Sequence, residues 1–286
     1  MSFSRNLRFR LEYAGFRLLQ AGARALPLET ASAWSGWCWR VIAPRLYRQK
    51  RALANLALAY PEMSEDERVR LASDMWENLG RTFAESFHLQ EIVASDRIEL
   101  EWEDRPHGSF VICGAHLGNW EWAALGTGAL GISTGVVARP LDNPLLDATL
   151  TRLRSSTGNT VIEKRDATRA MLRALRGGGA IGILNDQHAH PPDAVTAPFF
   201  GRPAATSSAL AKLADRTEAL IVPAYAIRIA PARWRLTFEP ALDVRTLSRE
   251  ERGVESLTAR LNGILEQMVR RHPEQWLWLH NRWRVD

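Results

Sequence analysis

From residue 98 onward the chain alternates short apolar runs with helical ones, and this alternation constrains the fold more than any other feature. Ile98 to Glu103, Ser109 to Cys113, Thr134 to Ala138, Thr160 to Ile162 and Ala180 to Leu184 read as strands. Between them helices are expected from Asn119, from Pro144 and over Ala167 to Arg176. A helix from Ser207, strands Leu220 to Ile229 and Trp234 to Glu239, and a helix from Glu250 to Arg271 complete the series. Strands separated by helices build βαβ units, so the expected class is α/β, a central mostly parallel sheet flanked by helices.

The length, 286 residues, suits one large α/β domain with an appendage. A hydrophobic content of 46% with 24% charged residues excludes wholesale disorder and a multi-span membrane protein. Cys38 and Cys113 cannot build a disulfide framework, and no Cys/His cluster has zinc spacing, so a reducing compartment and no metal are expected. The longest uncharged run, Trp122 to Ala138, is broken by Gly126, Gly128, Gly131 and Gly135 and reads as helix, turn and strand rather than a span. Arg interrupts the first 30 residues throughout, so no removable leader is expected.

The charge is lopsided. Residues 1–55 hold ten basic side chains against Glu12 and Glu29, a net +8, whereas the whole chain is +5. Leu7, Leu11, Ala14, Leu18, Leu19 and Gly22 recur at helical spacing up to Pro27, the pattern of an amphipathic basic helix. Ala31 to Ile42 carries Trp34, Trp37 and Trp39, rings that favour the headgroup layer, and Arg45, Arg48, Lys50 and Arg51 follow. Residues 1–60 are therefore expected to form a helical membrane-associating segment and residues 61–286 the α/β domain. The simpler alternative is a helical pair packed on that domain with a solvated basic face. No groove-reading or base-stacking module accompanies the charge, so nucleic acid is not the expected partner. Ser64 and Glu67 form a capping box for a helix reaching about His88.

Phe110 to Glu121 carries the chemistry. An apolar strand runs through Gly114 into a turn and then a helix, which delivers His116 to the carboxyl end of a strand, where open α/β sheets place ligands. His116 and Glu121 are five apart, about 140° around a helix, so they are not the double ligand of a metal helix. With His116 in the turn and Glu121 in the first helical turn, the carboxylate can reach back to Nδ1–H and leave Nε2 free. Such an imidazole suits removal of a proton from an attacking alcohol or amine.

The string His116-Leu117-Gly118-Asn119-Trp120-Glu121 resembles the H-x4-D/E signature of the late lipid A acyltransferases, the lauroyl and myristoyl transferases. Asn55 with Pro61 to Ser64, Ala138 to Pro144, Asp186-Gln187, Pro198 to Gly201, Pro203 to Thr206 and His272 to His280 resemble that family's other elements in order along the chain. Asn185 and Asn281 depart from its usual pattern. The resemblance implies a glycerolphosphate-acyltransferase-like fold and transfer of a fatty acyl group from an acyl carrier protein thioester to a hydroxyl of a lipid acceptor, a lipid A precursor first among them. By that resemblance His116 is the general base and Glu121 its orienting partner. Arg139, with the Gly118 and Asn119 amides, is the candidate for the developing oxyanion or an acceptor phosphate. Arg154, Asp186 and Gln187 match family positions that bind the acceptor or brace the site. It further implies no cofactor, an apolar slot for the acyl chain, and location on the cytoplasmic face of the inner membrane. Three other readings compete: another glycolipid or phospholipid acceptor, a thiol enzyme built on Cys113 and His116, and a non-enzymatic membrane-binding protein.

Overall fold

All five residues of strand β2 (Phe110–Gly114) are buried, and their alternation fills two separate cores. In this computed structural model, which describes residues 3–156, 158–163 and 167–283, β2 lies at the middle of a seven-stranded sheet. The order is β1 (Ile98–Glu101), β9 (Arg233–Phe238), β8 (Leu220–Ala230), β2, β5 (Ala180–Leu184), β3 (Thr134–Ala138) and β4 (Thr160–Glu163). The β8–β9 hairpin is antiparallel and every other pair is parallel. The expected mostly parallel sheet flanked by helices is therefore what the chain forms.

Side chains pointing to opposite faces of a strand explain the two cores. Val111 and Cys113 pack with Ile181, with Met171 and Leu175 of α8 (Ala167–Arg176), with Leu210 and Leu213 of α9 (Ala209–Thr217), and with Leu257, Leu261 and Leu265 of α10 (Val254–Arg271). Phe110 and Ile112 pack on the other side with Trp122 and Leu125 of α6 (Trp120–Ala129), Trp234 and Leu236. Each fully buried side chain of this kind contributes about 1.5–3 kcal/mol, so the sheet position of β2 is strongly fixed.

A hairpin that sequence patterning did not announce, β6 (Ala194–Phe199) and β7 (Arg202–Ser207), stands apart from the main sheet. Pro198 faces Pro203 across it, and prolines inside both strands mask the strand signal. Its two-residue turn needs positive φ at both positions, met by Phe200 at 52° and Gly201 at 68°.

The N-terminal helices wrap one flank. Helix α4 (Glu65–Glu85) starts at the expected Ser64–Glu67 capping box and packs along α2 (Leu28–Ile42), and the short α5 (Leu89–Val93) follows it. Arg228 of β8 reaches the fully buried Glu85 carboxylate, which also accepts Ser32 Oγ–H at 2.6 Å, so one buried ion pair joins sheet, α4 and α2. In α3 (Arg48–Ala59), the Asn55 amide donates to the carbonyls of Trp278 and His280. Helix α1 (Phe3–Arg24) turns Phe9 and Phe16 inward: Phe9 is buried, and the Phe16 ring meets Phe87 at 5.4 Å. Asn143, which caps α7 (Pro144–Ser155), donates to the Phe9 carbonyl at 3.0 Å. The apolar stripe Leu7, Leu11, Leu18 and Leu19 consequently faces outward, with Leu18 75% exposed. No helix among the described residues is long and apolar enough to cross a membrane.

Candidate active site

Strands β2 and β5 are parallel neighbours with Gly114 opposite Leu184, and the Asn185 amide continues the ladder to the Gly114 carbonyl at 3.0 Å. Two residues beyond each paired end stand His116 and Asp186, at the same level on the carboxyl edge of the sheet. Register alone thus brings them together. Asp186 Oδ1 accepts from His116 Nδ1–H at 2.8 Å, and Oδ2 accepts the His116 backbone N–H at 2.8 Å and the Trp276 indole N–H at 2.8 Å. Asp186 is fully buried while the His116 side chain is 16% exposed, so the imidazole reaches solvent and its orienting carboxylate does not. Burial works against the charge on Asp186, but the adjoining His116 ring and amide overcome it and hold the carboxyl well below the usual range.

The Nδ1 contact expected of Glu121 is therefore made by Asp186, and that expectation is corrected. Gly118, at φ +59°, redirects the chain before α6 begins at Trp120. From the first turn of α6 the Glu121 carboxylate meets Arg154 of α7 in a two-pronged pair at 2.6 and 2.9 Å. This pair pushes the Arg154 pKa up against the opposing effect of burial. What stands beside the imidazole from α6 is the Trp120 ring, 5.3 Å away.

The Gly118 and Asn119 amides are also not the open donors expected. Gly118 N–H binds the Gln275 carbonyl at 2.9 Å, and Asn119 N–H binds the Ala226 carbonyl at 2.8 Å. A Cβ on Gly118 would lie 2.0 Å from that Ala226 oxygen, so glycine is required both for its φ and for the close approach of β8. With Leu277 N–H donating to the His116 carbonyl at 3.0 Å, the C-terminal segment and β8 clamp the loop from both sides.

Gln187 is drawn in. Its side-chain amide nitrogen lies 3.0 Å from His116 Nε2 and 2.8 Å from His280 Nε2. His280, which sequence reasoning placed in a motif but gave no role, is thus part of the constellation. A cavity of about 290 Å³ opens here between Gln187, His188, His190, His280 and Asn281, and its polar lining is unlike the apolar slot implied for an acyl chain. Arg139 lies just past β3, which sits beside β5 on the same sheet edge; it is exposed and makes no ion pair among the described residues. Cys113 is sealed in the core, and burial pushes its thiol up to about 12, which overturns the thiol-enzyme alternative. Among the described residues no three His, Cys, Asp or Glu side chains converge as metal ligands would.

Burial pushes His280 down to about 4, with His116, Arg48 and Arg51 adding to the effect and Asp186 opposing it. Between its ordinary value of 6.5 and about 4 the unfolded chain holds a proton here that the folded chain lacks. Stability from this group is complete above pH 6.5 and erodes as pH falls toward 4, by at most about 1.4 kcal/mol per pH unit. His280→Gln should flatten the fall of Tm between pH 6.5 and 4.5. A slope unchanged from wild type would mean that the ring protonates freely in the fold.

Over residues 3–285 the chain matches the family described as bacterial lipid A biosynthesis acyltransferase. It is 27% identical over 252 residues to the lipid A biosynthesis lauroyltransferase of Escherichia coli (strain K12), spanning 83% of this chain and 79% of that protein. A lipid A biosynthesis acyltransferase of Haemophilus influenzae is 25% identical over 262 residues, 87% of this chain and 82% of its own. The E. coli lipid A biosynthesis myristoyltransferase is 26% identical over 245 residues, 81% of this chain and 73% of its own. With nearly its whole length matched, the chain belongs to the bacterial lipid A biosynthesis acyltransferase family.

Proposed function

We propose that the protein transfers a fatty acyl group from an acyl carrier protein thioester to a hydroxyl of a lipid A precursor, with His116 as general base. The observation that carries this reading is the His116–Asp186 pair, a solvent-reaching imidazole held by a buried carboxylate at a sheet edge. Asp186 keeps hydrogen on Nδ1, so Nε2 presents its lone pair and takes the proton of the acceptor hydroxyl as that oxygen bonds to the thioester carbon. The carboxylate stabilises the imidazolium that results. Collapse of the tetrahedral intermediate breaks the C–S bond, and the proton on Nε2 passes to the departing thiolate. A thioester is already activated, so the step asks for a base, alignment and an oxyanion donor, and for no cofactor.

With the Gly118 and Asn119 amides committed elsewhere, Gln187 is the oxyanion donor of this proposal, its amide nitrogen being 3.0 Å from the base. Arg139, two strand spacings or about 10 Å along the sheet edge from His116, suits a phosphate of the acceptor better than the reacting carbonyl. The Glu121–Arg154 pair braces α6 against α7 and so fixes Trp120 beside the imidazole. Arg48 and Arg51 of α3, near enough to His280 to bear on its charge, give an acidic carrier protein a basic rim at the site.

The outward stripe of α1, with Trp34, Trp37, Val41 and Ile42 exposed on α2, supports peripheral contact with the cytoplasmic face of the inner membrane. Trp34→Ser with Trp37→Ser should lower binding to anionic phospholipid vesicles at least about tenfold in a sedimentation assay, with Tm unchanged because both rings are exposed. Equal binding would remove this face from the reading. The activity itself is tested by incubating purified protein with acyl carrier protein thioester and a lipid A precursor. Mass gain of one acyl chain on the precursor is expected, whereas transfer confined to another glycolipid or a phospholipid would reassign the acceptor.

A further inference from the structure

The Gln187 amide nitrogen stands between two imidazoles whose ring centres are 4.9 Å apart. With Asp186 accepting the hydrogen on His116 Nδ1, the neutral ring that serves as base bears its lone pair on Nε2, and the group facing it there must be a donor. A carboxamide –NH2 carries two hydrogens, one for each ring. His280 can accept the second only while its own Nε2 is bare, and burial keeps it neutral near pH 7. The groups that bear most on the charge of His280 are His116 from the site loop, Asp186 from beyond β5, and Arg48 and Arg51 from α3, and His188 and His190 line the same cavity.

His280 is itself held in place. Asn55 of α3 donates to its carbonyl and to that of Trp278, and the buried Arg282 two residues on reaches the Gln187 carbonyl at 3.3 Å and the Ala205 carbonyl at 3.0 Å. Both ends of the Gln187–His280 contact are therefore tied to rigid elements. An exposed glutamine would wander over its rotamers; this one is pinned at its tip.

We propose that His280 is a positioning residue for acyl transfer: its Nε2 anchors one N–H of Gln187 and so aims the other at the place where the negative oxygen forms beside His116. This rests on the reading of Gln187 as oxyanion donor. In the empty site the second N–H rests on His116 Nε2. When the acceptor hydroxyl takes that lone pair, the same N–H turns to the thioester carbonyl oxygen, while the hydrogen bond to His280 is retained. His280 neither gains nor loses a proton in the step.

The test compares kcat and KM for transfer from acyl carrier protein thioester to a lipid A precursor in His280→Phe, His280→Gln, Gln187→Ala and the double variant His280→Phe/Gln187→Ala. His280→Phe is expected to lower kcat about 10- to 50-fold with both KM values within twofold, and His280→Gln, whose amide oxygen accepts from a similar position, to recover most of that loss. The double variant should be no slower than Gln187→Ala alone, because both changes act through one amide. Wild-type kcat in His280→Phe beside an impaired Gln187→Ala, or losses that multiply in the double variant, would overturn the proposal and leave the Gln187 reading standing. Wild-type kcat in Gln187→Ala would instead defeat that reading. If His280→Phe does not fold, His280→Ala against His280→Gln makes the same comparison: a tenfold deficit of Ala relative to Gln supports the anchor, and equality overturns it.

Discussion

His116→Ala is expected to lower kcat for acyl transfer by about 10²- to 10⁴-fold while leaving the protein folded. The loss should fall on kcat because the base acts in the step that forms the new C–O bond, not in binding either lipid or carrier. The fold should survive because the loop is held mainly through its backbone. The residue 116 amide still reaches Asp186, the residue 116 carbonyl still accepts Leu277 N–H, and Gly118 and Asn119 keep their bonds to Gln275 and Ala226. Asp186 loses one of three donors and keeps two, the residue 116 amide and the Trp276 indole. Steady-state kinetics beside a thermal melt separate the two effects. A variant that melts near wild type and turns over normally would remove His116 from the chemistry.

Asp186→Asn is the second large effect. The carboxylate offers two oxygens to three N–H groups, all at 2.8 Å. An asparagine offers one oxygen and puts –NH2 where the other was. If that –NH2 faces His116, it takes the Nδ1 lone pair and drives hydrogen to Nε2, the tautomer that cannot act as base. If it faces the Trp276 indole and the residue 116 amide instead, two buried donors lose their acceptor, at about 1–3 kcal/mol each. Either arrangement is costly, and the first silences the enzyme without unfolding it. Glu121→Gln differs, since its amide oxygen still accepts from Arg154, and neither group touches the imidazole. That substitution should cost activity less than about tenfold, through slackening of α6.

The contrast between these carboxylates marks where sequence stopped being informative. β3, α8 and β5 follow their expected bounds, because each is a short apolar or 3.6-periodic run flanked by Gly or Pro signals. The His116 turn was legible for the same reason. Its partner was not: β5 follows β3 and β4 in the chain yet lies next to β2, so chain order does not say that Asp186 ends up level with His116. Glu121 was near in sequence, and nearness in sequence was the available guide. The free amides expected at Gly118 and Asn119 failed on the same ground, since their acceptors, Gln275 and Ala226, are more than 100 residues away.

The helix patterns were right in period and silent on direction. Leu7, Leu11 and Leu18 do share a stripe, but Phe9 and Phe16 occupy the opposite face and win the contact with the domain, which leaves the leucines outside. His280 stood in a recognised motif, but its role was not legible, because it lies in an irregular segment whose place is set by Asn55 and the site loop.

The single-turnover rate of acyl transfer at saturating acceptor, measured for Asp186→Asn beside Glu121→Gln, tests the orientation of the base most directly. The rate expected for Asp186→Asn is about 10²- to 10⁴-fold below wild type, and that for Glu121→Gln within about tenfold of wild type. The reverse order, or a near wild-type rate in Asp186→Asn with the protein folded, would contradict that orientation.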